Sequence, residues 1–115
     1  ICLTGAADGA MTRLLADEQV VAATDYIERL EALFPGRLYI ELARRGDAVE
    51  QAAEAALIDL AHARALPLVA TNPACFAEPK FHPAHDAMLC IAQSAYVDSG
   101  DRRRSNPEAW LKPAE

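Results

Sequence analysis

The chain has 115 residues, 52% of them hydrophobic and 24% charged, which places it among globular domains and apart from disordered sequences. Its formal net charge of -6 argues against a chain that binds nucleic acid or membrane non-specifically over its whole surface. It leaves room for an acidic part of a larger nucleic-acid enzyme.

Ile1–Thr4 reads as a short buried strand ended by Gly5. Asp8 is expected to cap a short helix over Gly9–Ala16, and Asp17 a longer one from about Glu18 to Phe34. In the longer helix Val20, Val21, Ala23, Ile27, Leu30, Leu33 and Phe34 recur at helical spacing. Pro35 and Gly36 stop it. Arg37–Leu42 (RLYIEL) reads as a strand, Asp47 opens a helix running to about Ala65, and Pro67–Ala70 is the next strand. Pro83–Gln93 reads as a helix with Met88, Leu89, Ile91 and Ala92 on its apolar side. From Val97 to Pro107 the sequence turns polar, and this stretch is expected to be a loop or linker.

Alternating strands and helices of this kind predict α/β architecture with parallel strands joined by right-handed crossovers. The domain boundary is expected near residue 95, with 96–115 as the linker. Function in such folds gathers at the C-terminal ends of strands, here Thr4–Ala7, Glu41–Arg45 and Thr71–Cys75. No apolar run approaches the roughly 18 residues that a membrane span needs, and no signal peptide is visible. Cys2, Cys75 and Cys90 form no CxxC pair. Cys2 and Cys90 lie in apolar runs and read as small core hydrophobes, so a reducing, cytoplasmic compartment is expected. The start in mid-strand, ICLTG, and the ending WLKPAE suggest a piece of a longer protein.

The densest set of possible metal ligands is Cys75, His82, His85 and Asp86. Thiolate, imidazole and carboxylate suit zinc, but the spacing matches no zinc-finger pattern, and structural roles are the favoured reading. His85 and Asp86 read as a helix-start device, with Asp86 favoured by the helix dipole. Glu41, in an otherwise apolar strand, has the chemistry of an acid, base or ligand. Pairing with an arginine such as Arg44 or Arg45 is preferred. Gly5–Gly9 (GAADG) lacks the phosphate-loop lysine and threonine and reads as a tight turn. Arg102, Arg103 and Arg104 are candidates for contact with a nucleic-acid backbone, or a solvated loop. No nucleophile with its base stands out.

With these residues in view, the chain resembles the second half of the PHP (polymerase and histidinol phosphatase) domain of bacterial DNA polymerase III alpha subunits, the proteobacterial replicative type being nearest. The matching pieces are ICLTG at Ile1–Gly5, FPGRLYIEL at Phe34–Leu42, LPLVATN at Leu66–Asn72, HDAMLCIAQ at His85–Gln93 and RRRSNPEAWLK at Arg102–Lys112. They occur in the family's order and cover nearly the whole chain.

The resemblance implies a fragment of a (β/α)7-type barrel, with 1–95 as the C-terminal portion of the PHP domain and 96–115 leading toward the polymerase core. Metal-binding members hold divalent ions at strand ends, and the resemblance places Ala6, Pro73 and Cys75 at three of the ligand positions. Alanine and proline offer no side-chain donor. The implied role is therefore that of a degenerate, metal-free domain that braces the polymerase and docks a proofreading exonuclease subunit. Catalytic residues and cofactors are expected to be absent from this segment. Magnesium, nucleotidyl transfer and contact with DNA would belong to the parent chain. The alternatives are an active metal-dependent phosphoesterase or 3'-5' exonuclease of the same superfamily, and a stand-alone α/β domain.

Overall fold

The computed structural model describes residues Ile1–Pro113; Ala114 and Glu115, the last two positions of the expected 96–115 segment, lie outside the described residues. The element order is β1 (Cys2–Leu3), α1 (Ala10–Ala16), α2 (Val20–Leu33), β2 (Leu38–Leu42), α3 (Ala48–Ala63), β3 (Leu68–Ala70), a 3-10 turn at Pro79–Phe81, and α4 (His82–Ala92). The chain divides into two compact units, Ile1–Thr71 and the residues from Asn72 onward. The contact boundary thus falls at Thr71, whereas the composition changes near residue 95.

In the first unit, three parallel strands form one sheet in the order β1-β2-β3. Cys2 and Leu3 pair with Leu38 and Tyr39, and Ile40, Glu41 and Leu42 pair with Leu68, Val69 and Ala70. Parallel neighbours cannot be joined by a tight turn, so each connection carries a helical crossover, as the alternating pattern predicts. Leu38 and Ile40, two residues apart and so on one face of β2, are buried with Met11 and Leu15 of α1, Ala23 and Ile27 of α2, and Ala53, Leu57 and Ala61 of α3. Cys2 packs against this cluster as expected of a small core hydrophobe.

The helix of Val20–Leu33 buries a narrower stripe than its composition suggests. Ala23 and Ile27 are buried, and Leu30 and Phe34 pack partly against the core. Val20, Val21 and Leu33 remain exposed. Ala23, Ile27, Leu30 and Phe34 follow a three-to-four residue spacing, from which Val21 and Leu33 fall aside.

The expected caps hold at one helix and fail at two. Asp47 is the N-cap of α3, its side chain accepting from the N–H groups of Val49 (2.8 Å) and Glu50 (3.4 Å). The N-cap of α1 is Gly9, not Asp8, which pairs with Arg13 at 3.3 Å. A side chain at Gly9 would place its Cβ 2.4 Å from the Thr4 carbonyl oxygen, so the tight return from β1 requires glycine there. Asp17 ends α1 rather than opening α2. The turn between them uses Glu18 at a positive φ of 58°, and Gln19 leads into α2 without a side-chain cap.

In the second unit, α4 starts at His82, one residue ahead of the expected Pro83. Cys90 is its buried residue, again as expected. Residues 96–113 carry no helix, as their polarity suggests, but they fold back within this unit. Leu111 N–H donates to the Phe76 carbonyl (2.9 Å), Cys75 N–H to the Ala109 carbonyl (2.8 Å), and Phe76 and Trp110 form a parallel bridge.

Candidate functional site

Two places bring chemistry-bearing residues together, one in each unit. The first is the C-terminal edge of the sheet. β1 ends at Leu3, which would leave the next inward N–H of β2 without a strand partner. The buried Thr4 hydroxyl fills that place, accepting from Glu41 N–H at 3.0 Å. The Glu41 side chain leaves the sheet on the face away from Ile40 and reaches across to β3. Its Oε1 accepts from Thr71 Oγ1 at 2.5 Å. The edge is therefore tied across all three strands by Thr4, Glu41 and Thr71.

The preference for an arginine partner at Glu41 is corrected here. Arg44 forms two hydrogen bonds with Glu54 (2.7 and 3.1 Å), and Arg45 pairs with the buried Glu50 (2.5 and 3.1 Å), whose Oε2 also accepts from Arg45 N–H. Both glutamates lie in the first two turns of α3, which follows β2 after a short connection. The Arg44 guanidinium holds the Glu54 carboxyl below its ordinary range. Ala6, Thr12, Glu41, Glu50, Glu54 and Leu57 line a small hollow at this edge. The Gly5–Gly9 segment is a closed turn. Gly9 N–H donates to the Ala6 carbonyl (2.8 Å) and Thr12 Oγ1 to the Gly5 carbonyl (3.0 Å).

The second place joins α4 to the 99–106 segment. The Arg102 guanidinium grips the Asp86 carboxylate through two bonds of 2.9 and 2.6 Å. The Arg102 side chain is 1% exposed. Asp86 Oδ1 also accepts from Ser105 N–H at 2.8 Å. Arg102 first, and the Ser105 N–H second, hold the Asp86 carboxyl well below the usual carboxylate range. Ser105 Oγ lies 2.6 Å from His85 Nδ1, and the Ser105 carbonyl lies 3.1 Å from His82 Nε2. The Phe76 ring packs on both histidines, with centroids 6.0 Å from His82 and 5.5 Å from His85.

His82, His85 and Asp86 thus converge, as their sequence proximity suggests, but each converges on a protein group. His85 and Asp86 lie in the second turn of α4, so they do not open the helix; they anchor the returning segment. Cys75 stands apart, exposed, with Sγ 4.0 Å from the Pro73 carbonyl. Among the described residues no three His, Cys, Asp or Glu side chains are grouped to hold a metal ion. The position equated with a ligand at Ala6 is a methyl group facing the hollow, and Pro73 is exposed and without a donor. Of the three positions, Cys75 alone carries a side-chain donor.

The basic triplet is divided. Arg102 points inward, while Arg103 and Arg104 are exposed. Arg104 reaches back to the Ser99 carbonyl at 3.4 Å, and Arg103 N–H donates to Gln93 Oε1 at 3.2 Å. Ser105, which no motif in the sequence marks, contacts His82, His85 and Asp86. Its one signal was a small hydroxyl residue directly after three arginines. Trp110 accepts through its carbonyl from Asn72 Nδ2 (2.8 Å) and carries Lys112 over its ring at 3.9 Å. Leu111 is exposed.

The geometry defines a parallel-stranded α/β segment. No family model matches the chain. Curated relatives do match it. It is 43% identical over all 115 residues to the DNA polymerase III subunit alpha of Caulobacter vibrioides. It is 33% identical over 109 residues, 94% of the chain, to that of Rickettsia prowazekii, and 30% identical over the whole chain to that of Escherichia coli. The chain spans about a tenth of the length of these relatives. It is homologous to a segment of the DNA polymerase III alpha subunit.

Proposed function

We propose that this chain is part of the alpha subunit of a replicative DNA polymerase III, and that the segment is the C-terminal portion of a degenerate PHP domain. The observation that carries the reading is the 43% identity that runs from the first residue to the last. The parent would be a cytoplasmic DNA-directed DNA polymerase, a nucleotidyltransferase that uses magnesium in domains outside this segment and meets DNA through them. Here the sheet would form part of a (β/α)7-type barrel wall. The second unit, with its returning 96–113 segment, would lead toward the polymerase core.

The role of this segment is to brace neighbouring domains of the same chain and to offer a surface to the proofreading exonuclease subunit. A metal-free state is supported by the chemistry at the strand ends. Ala6 and Pro73 have no donors, Cys75 stands alone, and His82, His85 and Asp86 are engaged by Ser105 and Arg102. Of the basic triplet, Arg103 and Arg104 would be the residues to touch a nucleic-acid backbone; their exposure, against the enclosed Arg102, supports this.

The test uses the full-length protein. It should extend a primed template with magnesium, co-purify with an exonuclease subunit, and contain no stoichiometric zinc or manganese by elemental analysis. The double substitution Pro73→Asp with Cys75→His should not confer phosphodiester hydrolysis, because Ala6 still lacks a donor. Stoichiometric metal, or hydrolysis by that variant, would replace this reading with that of an active metal-dependent phosphoesterase. Failure to extend primers would remove the polymerase assignment itself.

A further inference from the structure

We draw no further inference here: the strongest candidate, the exposed apolar stripe of Met88 and Ile91 on α4 with Tyr96 and Val97 just beyond it, carries nothing because nothing in the structure shows what covers it.

Discussion

Asp86 and Arg102, sixteen residues apart in sequence, face each other across α4 and the returning segment with both carboxylate oxygens hydrogen-bonded to the guanidinium. Removing either partner leaves the other's charge unpaired and held by backbone bonds, from Ser105 N–H to Asp86 and from Arg102 to the Val97 carbonyl, which is the costly way to break such a pair. Arg102→Ala and Asp86→Ala should each lower the thermal midpoint by several degrees. Either should also speed proteolysis within 97–105. Arg103→Ala, which removes an exposed side chain, should leave both measurements near wild type. Equal stability of the Arg102 and Arg103 variants would contradict the geometry.

The same pair sets an acid-side signature. The folded-state pKa of Asp86 is depressed, by Arg102 first and the Ser105 N–H second. A depressed carboxylate contributes stability that is fully present above its unfolded pKa of about 4 and is lost as pH falls through the folded value. Denaturant midpoints measured between about pH 5 and pH 2 should therefore fall more steeply for the wild type than for Asp86→Asn. The variant should already be weaker at pH 7. Parallel curves would count against the assignment.

The Thr71 hydroxyl donates to the Glu41 carboxylate. Thr71→Val keeps the β-branched shape and removes the donor. The expected loss is about 1.5–3 kcal/mol, the range for a hydrogen bond to a charged group. Thr71→Ser should recover most of it. Urea unfolding of the three proteins checks this; a Thr71→Val protein as stable as wild type would show the contact to be worthless.

Two glycines separate crowding from backbone strain. Gly9 has a negative φ, but an added Cβ would sit 2.4 Å from the Thr4 oxygen and 2.5 Å from the Gly5 oxygen, both backbone atoms. Gly46 has a φ of +76° and open space around it. Gly46→Ala should cost about 1–2 kcal/mol, the penalty of a left-handed conformation. Gly9→Ala should cost about 1–3 kcal/mol through displacement of the β1 turn, with chemical-shift changes reaching Thr4 and Glu41. A Gly9→Ala protein with unchanged shifts at Thr4 would refute the close approach.

The helices and strands were legible because their signals are local. Leu38–Leu42 is short, apolar and flanked by Gly36 and Gly46, and α3 announces itself through Asp47 and an alanine-rich run. The errors fell where two helices meet. Asp17 is an acceptable N-cap by residue type, but it serves as the C-cap of α1 and Glu18 takes the turn. Nothing within a few residues of Asp17 distinguishes those outcomes.

The candidate sites were half legible. The sequence marked Glu41, His82, His85, Asp86 and the arginine triplet as notable, and each is structurally engaged or exposed in a definite way. It misassigned the partner of Glu41 and missed Ser105.

By itself the sequence determined the order of elements, the α/β class, and the lack of side-chain donors at Ala6 and Pro73, because periodicity, turn residues and side-chain chemistry are properties of neighbours along the chain. Only the tertiary structure decided that Glu41 takes Thr71, thirty residues away, and that Arg102 turns inward to Asp86 while Arg103 stays outside. Hydrogen bonds and ion pairs act over a few ångströms of space, so their partners are chosen by the fold and not by distance along the chain.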